Sequence, residues 1–356
     1  MKKKFLLSMV VGAVIYTAKA QDTVKMESSL KISGSVDTYY KYDVSGVNNI
    51  PTYFDSDQNS ISLGMIDLAL SKTTGKASFI GEVSFGPRGQ YQSLLTGDAN
   101  DLSNTFHIQN LYVSYAFTDK LSMTTGFMGT FIGYEVISPA ANFHYSTSYL
   151  FGAGPFQNAG IKADYAISDK VGIMAGLFND WNVYQDLNGV SHFGAQLSFA
   201  PLEGLSVSIN FLTGTSTADG SAPNAIDAYS SGTIFDLVAS YDFSDKFSLG
   251  LNAADYSFKD DGGYTGIALY PRVNVTADFA LGIRGEYFKN KEATGFTMEE
   301  SVTSFTLSAN LKHGGLIFIP ELRLDNAKND TFGFVKEDGT PGKSASQFSL
   351  ALVYTF

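Results

Sequence analysis

The chain has 356 residues, enough for two ordinary globular domains, but 14% aromatic residues, 35 Gly and only 9 Pro favour strands over helices. A formal net charge of -11 argues against nucleic acid or anionic headgroups as partners. The absence of cysteine excludes a lipid-anchored Cys and a disulfide framework.

Residues 1–20 read as a separate object. MKKK is a basic start, FLLSMVVGAVIY an apolar stretch, and TAKA ends in the small-x-small pattern of a cleavage site. A cleaved signal peptide over 1–20 is therefore expected, leaving a single domain over 21–356. Loss of Lys2, Lys3, Lys4 and Lys19 takes the formal charge to -15.

Beyond residue 20 no apolar run approaches the roughly 18 residues a membrane helix needs. Period-two alternation marks candidate strands instead, at 30–43, 58–71, 75–86, 105–118, 121–135, 157–167, 171–184 and 190–200. It continues at 204–216, 230–243, 247–258, 264–276, 279–290, 300–313, 315–326 and 345–356. In the last of these Phe348, Leu350, Leu352, Tyr354 and Phe356 share one face, and Gln347, Ser349, Ala351, Val353 and Thr355 the other.

A sandwich would alternate as well, so the connections decide. Short linkers (KTTG, TDK, SDK, the PLE region, SDK, TAD and HGG) alternate with longer ones rich in Gly, Asn, Asp and Ser. Strict alternation of this kind is the layout of a transmembrane antiparallel up-and-down β-barrel of about 16 strands, with short periplasmic turns and long extracellular loops. Hydrocarbon offers backbone amides no water, so a spanning sheet must close on itself. Three near-copies, SYAFTDKLSMTTGF, DYAISDKVGIMAGLF and SYDFSDKFSLGL, are then hairpins of one wall.

KISGSVDTYYKYD at Lys31, IDLALSKTTGKASFIGEVSFGPRG from Ile66 and NFHYSTSYLFGAGPFQNAGIKADYAISDK from Asn142 resemble the β-barrel porins of the OmpL-like type, over nearly the whole mature chain. The resemblance implies an outer-membrane pore for small hydrophilic solutes in a Gram-negative bacterium. The terminal FSLALVYTF, with Phe356 last, resembles the strand recognised by the barrel-assembly machinery.

A barrel of roughly 16–18 strands leaves an aqueous channel unless something fills it. The third long loop, 137–156, carries no acidic residue, Lys or Arg and many aromatics, which suits an interior wall. Phe143, Tyr145, Tyr149 and Phe151 are the expected constriction. An external loop lying over the mouth is the alternative. With the apolar faces outward, Lys31, Asp37, Lys41, Glu82, Lys162, Asp164, Arg272, Arg284, Glu286, Lys312, Glu321, Arg323 and Asp325 are expected in the lumen, where charges tune passage. Arg284-x-Glu286 and Glu321-x-Arg323-x-Asp325 read mainly as salt bridges along the wall.

The acidic stretches DQNS at Asp57, GDANDLSN at 97–104, KDDGG at 259–263 and EDGTPGK at Glu337 lack cation-loop spacing and read as solvated loops. His107, His144, His192 and His313 are scattered, and no HExxH or GxSxG occurs, so no enzyme, metal or cofactor is expected. The partners expected are outer-membrane lipid, the assembly machinery and small solutes, with a homotrimer compatible with the outward face. The competing function is a non-conducting or ligand-specific barrel serving as adhesin, receptor or scaffold.

Overall fold

A computed structural model describes residues 29–86, 106–185, 189–215, 231–258, 262–292 and 299–356. The proposed signal peptide, the stretch at 97–104 and residues 259–261 lie outside the described residues. The wall begins with β1 (Lys31–Asp43), β2 (Ser60–Thr74), β3 (Ala77–Phe85), β4 (Phe106–Ala116) and β5 (Leu121–Gly129). A short helix α1 (Tyr149–Ala153) precedes β6 (Gln157–Ser168), β7 (Val171–Trp181), β8 (His192–Phe199), β9 (Leu205–Gly214) and β10 (Gly232–Asp242). Then come β11 (Phe247–Phe258), β12 (Gly263–Asn274), β13 (Phe279–Asn290), β14 (Glu300–His313) and β15 (Leu316–Ala327). A two-stranded hairpin, β16 (Phe334–Val335) and β17 (Pro341–Gly342), precedes the last strand, β18 (Ser344–Thr355).

Sixteen of these strands close a barrel in which each pairs antiparallel with its sequence neighbour and β1 pairs with β18. The terminal strands share a long register, from Ser35 opposite Thr355 to Asp43 opposite Gln347. Closure leaves no unpaired strand edge. The outward face is apolar, with Leu63, Phe235, Ile283, Leu322 and Leu352 exposed, whereas the opposite parity of the same strands buries Arg284, Arg323 and Asp325.

The repeated Thr/Ser-Asp-Lys unit is a turn device. Thr118 Oγ1 accepts hydrogen bonds from the backbone amides of Lys120 (3.2 Å) and Leu121 (3.0 Å), and Ser244 Oγ from Lys246 (3.3 Å) and Phe247 (3.1 Å). Ser168 Oγ accepts from Lys170 N. The first residue thus replaces the backbone acceptor a tight turn lacks. The carbonyl of each Lys accepts from the next strand pair: Lys120 from Ala166, Lys170 from Ala200 and Lys246 from Asn274, all at 2.8 Å. The repeat therefore fixes turns and stitches neighbouring hairpins together.

One boundary differs in kind from the sequence expectation. Alternation extends to residue 135, but β5 ends at Gly129 and the chain leaves the wall there. Phe131, Ile132 and Tyr134 turn their apolar side chains into the barrel: Ile132 is buried, Phe131 packs on Phe178, and Tyr134 stacks on Tyr270 with centroids 4.3 Å apart. Gly133, at φ +88°, supplies the left-handed backbone the departure requires.

Candidate functional site

Strand register assembles the site. Arg284 on β13 lies opposite Thr306 on β14, which lies opposite Arg323 on β15, which lies opposite Gln347 on β18. One inward row away, Glu286 faces Ser304 and Ser304 faces Asp325. On the other side Ser308 faces Glu321, and Glu321 faces Ser349. The small hydroxyl residues of β14 separate the charged side chains of β13 and β15 and leave room above them.

That room is occupied by the connection between β5 and β6, residues 130–156, hereafter loop 3. Glu321 accepts the backbone amides of Tyr145 (2.9 Å) and Ser146 (3.0 Å), and also the hydroxyl of Ser308 (2.6 Å). Glu286 accepts those of Tyr149 (3.0 Å) and Leu150 (2.8 Å), at the start of α1. These are amides that a helix start leaves without partners, and a carboxylate is the natural acceptor there. Ser148 caps the same turn by accepting from Phe151 N at 3.0 Å.

The arginines hold the opposite polarity. Arg284 donates to Ser146 O (2.6 Å), to Thr306 Oγ1 (3.0 Å) and to Glu135 Oε1 (2.8 Å), while Arg323 donates to Thr147 O at 2.7 Å. Glu135 in turn accepts from the amide and the hydroxyl of Ser148, both at 2.7 Å. Of the expected wall pairs, only Arg323 with Asp325 (2.9 Å) forms here. Arg284 pairs with the loop's own Glu135, and Glu286 and Glu321 serve backbone amides.

The four aromatic residues expected at a constriction all turn inward. Tyr145 is fully buried and donates its hydroxyl to Asp37 Oδ2. Tyr149 donates to Asp325 Oδ2 at 2.6 Å, stacks on Phe288 and carries Arg323 5.0 Å above its ring. Phe151 packs on Tyr53, Phe54 and Phe156. Phe143 lies against Gly282, where a Cβ would come within 2.3 Å of its ring, so that glycine makes the space. His144 is buried, with Nδ1 2.7 Å from Ser308 Oγ; burial, and then the nearby Arg284 charge, hold it neutral, far below the usual histidine range.

Loop 1, residues 44–59, closes over loop 3. Lys41 Nζ donates to Ile50 O at 2.9 Å, Asn49 bonds the backbone of Val335 in β16, and Ile50 and Phe54 are buried. Asp55 is enclosed, accepting from Thr52 Oγ1 and from Gln347 Nε2 (3.0 Å), and burial pushes its carboxyl up to about 6. Ile50, Ile132, Leu150 and Phe334, from three separate connections, join one apolar cluster with the interior wall.

The other expected lumen charges lie apart from this network. Lys162 and Asp164 pair at 3.3 Å with partial exposure, Glu82 binds Asn110, and Lys31 is exposed at the start of β1. Arg272 and Lys312 lie near the short-turn end, partly exposed. Glu135 was hidden from sequence reasoning because it sits within apparent strand alternation; the glycines at 129 and 133 are the signal that the strand has ended. Among the described residues no group of His, Asp and Glu is arranged to hold a metal.

The family model described as "Putative beta-barrel porin-2, OmpL-like" matches residues 29–356. No curated protein matches the sequence. Among solved structures, the Acinetobacter baumannii outer membrane channel DcaP superposes with a TM-score of 0.61 at 11% identity, over 92% of this chain and 97% of that one. The anion-selective porin from Comamonas acidovorans gives 0.59 at 13% identity, over 92% and 99% of the two chains. Salmonella typhi OmpF, solved with daunomycin, gives 0.64 at 12% identity, over 93% and 100%. At these identities the likeness is one of fold.

Proposed function

The chain belongs to the OmpL-like beta-barrel porin-2 family and is an outer-membrane porin; from that premise we propose that small hydrophilic solutes pass through its lumen by passive diffusion, and that loop 3 narrows the path. The observation that carries this reading is the anchoring of the loop. Carboxylates of Glu286 and Glu321 take its amides and guanidinium groups of Arg284 and Arg323 take its carbonyls, so it is fastened to the wall at both polarities. A loop fixed in this way sets a constant bore, and the remaining wall charges bias which solutes enter. Single-channel recording of folded protein in planar bilayers tests the reading: small, uniform steps are expected, and absence of steps would overturn it.

A second reading has one observation in its favour. Loop 1, loop 3 and the β16–β17 hairpin meet in the barrel mouth, which suits a ligand-specific or closed barrel working as receptor, adhesin or scaffold. Solute size separates the two, since a diffusion pore admits unrelated solutes below one size limit and a specific barrel does not. Our reading includes removal of residues 1–20, insertion by the barrel-assembly machinery through the strand ending in Phe356, and an outward face that meets outer-membrane lipid or, in a homotrimer, two further copies.

A further inference from the structure

A cleft with ≈ 560 Å³ of empty space, its open mouth included, lies beneath loop 3 on the side of the short turns. One side is lined by Tyr134 of loop 3 and Tyr270 of β12, whose rings stack on each other at 22°, with Tyr134 seated against Gly250. Phe143 lies across from them and carries the Arg272 guanidinium 5.8 Å from its ring centroid.

Arg272 is the unusual member. Its Nε is buried without a hydrogen-bond partner, and among the described residues no carboxylate pairs with it. Lys312 stands near enough for the two cations to repel each other, with Asp278 facing Lys312. The acid that does line the cleft, Glu135, is engaged by Arg284 and Ser148. Asn142 is engaged as well, bonding Val136 through both ends of its amide. His144 is held neutral by its burial.

A half-buried guanidinium with unused donors beside flat aromatic rings matches a ligand with a carboxylate at one end and a planar apolar body at the other. We propose that this cleft is a binding site for small aromatic carboxylates, located just past loop 3 on the path through the lumen. Binding itself needs only the folded barrel; its consequence for transport rests on the channel reading above. Passing anions of this class would pause on Arg272, while cations of the same shape would not.

The test is calorimetric titration of the detergent-folded full chain with benzoate, acetate and benzylamine. Benzoate is expected to bind, acetate at least about tenfold more weakly for want of a ring, and benzylamine not at all. Arg272→Gln should weaken benzoate about tenfold or more, since a charge-assisted contact is lost. Tyr134→Leu, in a loop outside the wall, should weaken benzoate and leave acetate unchanged, and it remains informative if the strand variant misfolds. Equal binding of benzoate and benzylamine, or native affinity in a folded variant of either kind, would overturn the proposal. Benzoate binding without conductance would keep the site and sink the pore; conductance without benzoate binding would do the reverse.

Discussion

Replacing Arg284 with Met should release loop 3 and leave the barrel standing. Arg284 and Glu135 are both removed from water, with side chains 0% and 4% exposed, and lie 2.8 Å apart. Removing one partner of such a pair costs about 3–5 kcal/mol, because the other charge stays buried and unpaired. Ser146 O also loses its 2.6 Å donor. Since about 1.4 kcal/mol is a tenfold change, the balance between seated and released loop should move more than a hundredfold. The ladders joining β13 to β12 and β14 are backbone bonds that this change leaves in place. Conductance per channel should therefore rise, residues 130–156 should become open to protease, and the temperature at which the barrel unfolds in detergent should move little. The double variant Arg284→Met with Glu135→Gln should recover part of the loss, since no bare charge remains buried. Native conductance together with native protease resistance in Arg284→Met would refute the reasoning.

Asp55 gives loop 1 a pH dependence. Its carboxyl is raised from 3.8 to about 6, so the folded loop holds the proton more tightly than the unfolded chain. The stability it contributes is full below about 3.8, fades as the pH rises through about 6, and amounts to about 3 kcal/mol across that window. Protection against hydrogen exchange over 44–59, taken relative to the intrinsic exchange rate at each pH, should be greater at pH 5 than at pH 8, and Asp55→Asn should abolish that difference in protection; a difference in protection that survives in the variant contradicts the assignment. Ile283, outward and 47% exposed beside the inward Arg284, should tolerate Val, whereas Ile283→Arg should cost about 2–4 kcal/mol if it lies at mid-depth, read by denaturant titration in lipid. Phe356 bonds Gly34 through both its backbone amide and its carbonyl at 3.1 Å and stacks on Tyr354. Removing it should lower the amount of folded protein in the outer membrane without changing single-channel steps, and unchanged yields would show that the terminal aromatic is dispensable.

The wall is legible in the sequence because its physics is local. A strand with lipid on one side must alternate, and Leu350, Leu352 and Tyr354 opposite Ser349, Ala351 and Val353 could hardly do anything else. Loop 3 is only half legible. Its lack of charge after residue 136 and its aromatic content say that it seeks a wall, but the partners of Tyr145 and Tyr149 lie 108 and 176 residues away, at Asp37 and Asp325. Only barrel register brings them together. The end of β5 misleads for a related reason: Phe131, Ile132 and Tyr134 are apolar because they face the interior wall, and periodicity does not distinguish that wall from lipid. The helix α1, five residues long, is too short to carry a helical period and exists because Glu286 and Ser148 satisfy its first amides.

The central claim is that an aqueous path crosses the barrel past loop 3. Single-channel recording in a salt gradient addresses it most directly, because the steps report the path and the reversal potential reports the bias of its wall charges. The account predicts discrete steps of one size with a reversal potential displaced from zero; folded, monodisperse protein that inserts and yields no steps would contradict it.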